Sequence, residues 1–225
     1  MLTERVGCND KIPVVSGFIF PDGIMKPFVV LERMIYYDVV NDKRKRKGRN
    51  VMDLHKWEYW ISKLELQPHP EGGFYKQTYR SNDEISDKEV SSQFDDKRFL
   101  YTSIYFLLRS QDVSHFHRLQ SDELWYYHGG SPLTIHIIYR DGTYQEVKLG
   151  TNLENGEVPQ FLVPRDTIFG SSVANENTFS LVGCMVAPGF DFRDFELFTK
   201  QQLLDEFPEH VVIIDKLGYD KLPND

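Results

Sequence analysis

The densest polar stretch of the chain runs from Ser114 to Gly130 and reads SHFHRLQSDELWYYHGG. In an extended strand residues two apart share a face, so His115 and His117 are expected to point one way, and Glu123, Trp125 and Tyr127 to point together. A short turn between the two groups would set them side by side. Two imidazoles and a carboxylate on one face suit two chemistries. They can ligate a divalent transition metal through His115, His117 and Glu123, leaving a position for water. Alternatively, His117 can act as a general base with Asp122 or Glu123 orienting its ring. Around them, Trp125, Tyr127, Phe190 and Phe192 can sandwich a planar or sugar ring. Lys76, Arg80 and Arg118 can neutralise phosphate, the arginines through their bidentate fork.

Such residues need a rigid frame, and the pattern from Phe74 onward supplies one. Ten short apolar or alternating segments are separated by turn signals such as Asp141-Gly142 and Asn155-Gly156. They predict strands at Phe74–Arg80, Leu100–Arg109, Ser114–His117, Glu123–His128, Leu133–Tyr139, Tyr144–Leu149, Gln160–Val163, Ile168–Val173, Phe179–Val186 and Phe195–Phe198. This is the spacing of an all-β sandwich or barrel, not of alternating βα units. Before it, Asp53 can cap a helix whose Leu54, Trp57, Ile61 and Leu64 recur at helical spacing. After it, Thr199 and Gln202 form a capping-box pattern ahead of a helix that Pro208 stops. Asp191, Arg193 and Asp194, set between phenylalanines, are expected to be a structural cluster in which Arg193 pairs with an acid.

The 225 residues carry 26 basic and 34 acidic side chains, a net charge of -8. That balance argues against a surface built to neutralise nucleic-acid phosphates. Six of the basic residues fall between Lys43 and Arg49 with no acid among them. A like-charge block reads as a solvated linker, or else as a nuclear-import or anionic-surface patch. It divides an extension, residues 1–50, from a domain expected over 53–218. Two distant cysteines, Cys8 and Cys184, signal neither a disulfide framework nor a zinc site. The absence of a signal-peptide pattern and of a long apolar run points to a cytoplasmic protein without a membrane span.

At the level of motifs the chain resembles the cupin superfamily, small double-sheet jelly rolls. His115, His117, Glu123 and Gly130 follow the first cupin motif, with five residues between His117 and Glu123. In the second motif Asp166 stands for the usual glycine and Phe169 for the usual histidine. The chain is more closely similar to a cupin branch known only as a domain of unknown function, through HPEGG at His69–Gly73, TYRS at Thr78–Ser81, His117–Trp125, Val163–Gly170 and APGFDFRDFEL at Ala187–Leu197. In that branch Gln77 stands where glutamate is common. The resemblance implies an all-β double-stranded β-helix, a homodimer and a small-molecule site. It also implies likeness to nucleotide-sugar epimerases, which work without a metal. In those terms the catalytic set is His117, Glu123, Tyr105 and Tyr127, with a tyrosine returning the proton. The ligand set is Lys76, Gln77, Arg80, His115, Arg118, Asp122 and Trp125. The ligand is a nucleotide or nucleotide sugar. A non-catalytic binding module and a metal-dependent enzyme are the alternatives.

Overall fold

The computed structural model describes residues 56–86, 94 and 96–223. The basic run Lys43–Arg49, the apolar pieces before it, Cys8 and the expected helix cap at Asp53 lie outside them. The described chain begins with helix α1 (Trp57–Leu64) and continues through thirteen strands: β1 (Gln67–Pro68), β2 (Phe74–Arg80), β3 (Glu84–Ile85), β4 (Arg98–Phe99), β5 (Thr102–Arg109), β6 (Val113–Leu119), β7 (Asp122–Gly130), β8 (Leu133–Ile138), β9 (Tyr144–Leu149), β10 (Gln160–Val163), β11 (Ile168–Val173), β12 (Phe179–Ala187) and β13 (Phe195–Leu197). Helices α2 (Lys200–Glu206) and α3 (Val211–Leu217) follow. All ten expected strands form, with end shifts of one or two residues. The three additional strands are two residues long, too short to produce a periodic signal.

Two sheets face each other, one ordered β1-β2-β5-β12-β7-β10 and the other β13-β6-β11-β8-β9. This is the jelly-roll arrangement. Alternation sends Leu133, Ile135 and Ile137 of β8 into the space between the sheets, where they meet Phe106, Trp125 and Phe169. The opposite face of the five-stranded sheet is covered too. Phe116, Ile138 and Ile168 pack there against Leu203, Phe207, Ile214 and Leu217 from the C-terminal helices. Each such fully buried side chain contributes about 1.5–3 kcal/mol. Helix α2 starts as expected: Thr199 Oγ1 accepts from Gln202 N, while Gln202 Oε1 accepts from Thr199 N at 2.8 Å. On the six-stranded side, Trp57, Trp60, Ile61 and Leu64 of α1 pack over Leu107, Phe179 and Leu181. No helix among the described residues is long and apolar enough to cross a membrane.

Three β-bulges interrupt the ladders and decide which side chains look inward. Thr78 is the extra residue between β2 and β5, and His128 the extra residue between β7 and β12. Between β6 and β11, Phe169 pairs with His117 but Ser171 pairs with Ser114, so His115 and Phe116 together face one residue, Gly170. A bulge reverses the parity of everything beyond it. Ser114 and His117 therefore both face inward, and the expectation that His115 and His117 share a face is corrected. Gly170 is required here because a Cβ would lie 2.6 Å from the Ser114 carbonyl oxygen.

Candidate functional site

Between the sheets lies a cavity of about 270 Å³. One wall is His117 and Leu119 of β6. The other is Tyr75 and Gln77 of β2, Thr102, Ile104 and Phe106 of β5, Glu123 of β7, and Cys184 and Val186 of β12. The β1–β2 turn adds His69 and Glu71, and the segment before β13 adds Phe190, Phe192 and Phe195. Among the described residues neither lysine nor arginine lines it.

The turn is held by its glycines. Gly72 and Gly73 have φ of 108° and 69°, and a side chain on Gly72 would collide with the Val113 carbonyl. This close approach presses Glu71 against β6. Its Oε1 accepts from Ser114 Oγ at 2.9 Å, and its backbone carbonyl accepts from His115 N at 2.8 Å. The other carboxyl oxygen, Oε2, lies 3.3 Å from His117 Nε2 and 3.4 Å from His69 Nδ1. His117 Nδ1 is 2.7 Å from the His115 carbonyl, which can only accept, so Nδ1 carries the hydrogen and Nε2 of the neutral ring is a lone pair. His69 Nδ1 accepts from Glu71 N at 3.3 Å and is a lone pair as well. Two lone pairs flanking one oxygen favour a proton within this cluster, and the shorter of the two contacts is the one to His117 Nε2.

Electrostatics agrees with this placement. Burial drives the His117 imidazole down to about 4 and raises the Glu71 carboxyl, against the opposing pull of His69 and the Ser114 bond. Burial, reinforced by the Glu71 charge, pushes Glu123 up to about 8. Burial and the nearby carboxylates likewise hold the Cys184 thiol far above its ordinary range. At neutral pH the cavity therefore contains neutral imidazoles and a protonated Glu123, with the Glu71 carboxyl shifted towards its protonated form. Nearby, Tyr75 stands edge-on to His69 with ring centroids 4.5 Å apart.

Of the residues expected from sequence, His117, Glu123, Gln77, Phe190 and Phe192 reach the cavity. The others are placed elsewhere. His115 faces away from it, its Nδ1 on the Leu217 carbonyl at 3.0 Å and its ring stacked on Tyr219 at 3.6 Å. Among the described residues no group of three or more histidine, cysteine, aspartate or glutamate side chains is arranged to hold a metal ion. The cupin metal set His115, His117 and Glu123 does not fit one, because the bulge separates its two imidazoles. Tyr105 lies on the outer face, packed with the α1 cluster and edge-on to His128. Tyr127 donates to the Gly130 carbonyl at 2.6 Å, outside the cavity lining. Trp125 is core, its indole N–H given to Glu123 Oε2 at 3.0 Å. Asp122 accepts from Arg165 N at 2.8 Å.

The expected phosphate-binding cations do not converge either. Lys76, opposite in parity to Tyr75 and Gln77, pairs with Glu65 at 2.5 Å. Arg80 covers the Phe99 ring at 4.3 Å, and Arg118 pairs with Glu196 at 2.6 Å. The Asp191–Arg193 pair forms as expected at 2.8 Å, whereas Asp194 belongs to Arg98 in a buried bidentate pair at 2.6 and 2.7 Å. His69, Glu71 and Tyr75 were missed. The available signal was local: HPE places an imidazole and a carboxylate two apart beside a turn, and Tyr75 alternates with Gln77 on β2.

Residues 58–198 match the family described as the cupin superfamily (DUF985), and the chain belongs to that family. A hypothetical protein from Leishmania major is similar to it, with 43% identity and a TM-score of 0.67 over 72% of this chain and 98% of that one. Protein SO0799 from Shewanella oneidensis shows 47% identity and a TM-score of 0.66, covering 77% of this chain and all of the other. In Saccharomyces cerevisiae the uncharacterized protein YML079W is 29% identical over 143 residues, 60% of this chain and 71% of its own.

Proposed function

We propose that the barrel binds a small, uncharged, carbonyl-bearing molecule of sugar size and moves a proton beside its carbonyl, as an isomerase or epimerase does. The observation that supports this most is the approach of Glu71 Oε2 to His117 Nε2, 3.3 Å apart, with the far side of the ring pinned by the His115 carbonyl. A proton passed between such a pair and the bound substrate leaves the total charge of the buried site unchanged. Glu123, held neutral across the cavity, is suited to donate a hydrogen bond to the substrate oxygen as electron density moves onto it. Tyr75 replaces Tyr105 and Tyr127 as the phenol beside the reacting carbon.

That none of the described residues lining the cavity is lysine or arginine supports an uncharged moiety inside. For a nucleotide sugar, the sugar would occupy the cavity and the diphosphate would lie outside it. The test has two parts. A thermal-shift screen compares free sugars, sugar phosphates and nucleotide sugars, since a ligand at about 100 times its Kd stabilises by about 2.7 kcal/mol. Solvent deuterium incorporation into each binder is then followed by NMR. Incorporation by wild type but not by His117→Ala or Glu71→Gln is the expected result. A binder that never exchanges would make the protein a binding module, and exchange undiminished in both variants would remove the pair from the chemistry.

A further inference from the structure

We propose that the C-terminal segment Leu217–Tyr219 is a clamp on the turn that carries Glu71, with Tyr219 and His115 as positioning residues that hold the carboxyl against His117. This inference rests on the acid–base reading of that pair. Residues 217–219 lie beyond the family match, which ends at 198, yet they reach back to the cavity's most constrained loop.

The contacts form a closed circuit. Tyr219 is fixed to the start of α2 by its N–H on the Phe198 carbonyl at 3.2 Å and by its own carbonyl, which accepts from Lys200 N at 2.8 Å. From that base its phenol donates to the Pro70 carbonyl at 2.6 Å, one residue from Glu71. Its ring lies on the His115 imidazole at 3.6 Å and 23°. His115 is gripped twice more, by Leu217 through its ring at 3.0 Å and by Glu71 through the backbone at 2.8 Å. The bulge that removes His115 from the cavity is what delivers it to this clamp. Pro70 and Glu71 are thus tied to the C-terminal segment from one side and to β6 from the other, and Glu71 has little freedom left except to face His117.

Lose the clamp and the turn can open, water can reach Glu71, and the carboxyl is no longer held against His117. The titratable groups facing His117 are Glu71 and His69, with Glu123 across the cavity; Lys200 and Asp220 approach His115 from outside. Glu71 is the nearest of them, 3.3 Å from Nε2, while burial sets the low value of the ring.

The test follows the His117 ring by ¹H–¹³C NMR through a pH titration of the full-length protein. Wild type is expected to titrate near 4. In Tyr219→Leu, an ionised, hydrated Glu71 raises that midpoint by about one unit or more. Tyr219→Phe keeps the stacked ring and loses only the Pro70 bond, so it shifts the midpoint in the same direction by a smaller amount and guards against misfolding of the leucine variant. An unchanged His117 midpoint in folded Tyr219→Phe, together with an unchanged one in Tyr219→Leu or no folded Tyr219→Leu, overturns the clamp. The readout needs no substrate, which separates the two proposals. A shifted midpoint in a protein that exchanges no ligand proton leaves the clamp standing and removes the chemistry; exchange lost in His117→Ala with no shift in the Tyr219 variants does the reverse.

Discussion

Trp125 gives its indole N–H to Glu123 Oε2 across 3.0 Å, two residues along the same strand. Bonds from two neutral donors, Trp125 and Cys184, do not offset the loss of water around the carboxyl, so burial wins and Glu123 stays protonated up to about 8. The consequence for stability has a definite sign. Above its unfolded value of 4.5 the unfolded chain releases the proton while the folded chain keeps it, so stability falls from pH 4.5 to about 8 and is flat beyond. The loss is on the order of a few kcal/mol. Urea midpoints between pH 5 and 9 measure it. Glu123→Gln, which cannot ionise, should flatten this fall and be more stable than wild type at pH 9.

His117 acts at the other end of the scale. Its folded value near 4 lies below the ordinary 6.5, so its contribution is fully present above pH 6.5 and is lost as pH falls towards 4. About 3 kcal/mol is at stake. Acid unfolding followed by near-ultraviolet circular dichroism should show a shallower decline between pH 6.5 and 4 in His117→Gln than in wild type.

The buried pair of Arg98 and Asp194 fixes the segment that presents Phe190, Phe192 and Phe195 to the cavity. Removing Asp194 strands a guanidinium that is 4% exposed. Asp194→Ala is therefore expected to destabilise by about 3–5 kcal/mol. Arg193→Ala, which breaks only exposed pairs, should change the urea midpoint by less than about 1 kcal/mol equivalent.

Gly170 and Gly129 offer a matched comparison. A Cβ on Gly170 meets the Ser114 carbonyl at 2.6 Å, whereas one on Gly129 finds nothing within 4 Å. Gly170→Ala should cost about 1–3 kcal/mol and displace the bulge that aims His117. Gly129→Ala should be close to neutral by the same denaturation measurement.

The strands were legible because alternation is a local property: Phe74–Arg80, Tyr144–Leu149, Gln160–Val163 and Ile168–Val173 form with the expected ends. Site geometry is harder to read because a bulge is one inserted residue with no compositional mark. The extra residue at His115–Phe116 turned a shared face into opposite faces, and so His115 left the cavity. Glu71 was hidden for another reason. Its partner His117 is far along the chain, and what joins them is a turn glycine pressed on Val113 and a tyrosine from the C-terminus. The basic residues misled because Lys76, Arg80 and Arg118 each had a nearer carboxylate or ring than any cavity ligand.

The five-stranded sheet is packed on both faces, by the inter-sheet core and by the C-terminal helices. Its middle strands β6, β11 and β8 should therefore hold the slowest-exchanging amides among the described residues, opening only with global unfolding, while the 187–195 segment exchanges through local fluctuation. His117 thus sits on the most persistent part of the molecule, and the aromatic side of the cavity on a part able to yield. A ligand in the cavity would be accommodated by the rings, with the Glu71–His117 pair left in place.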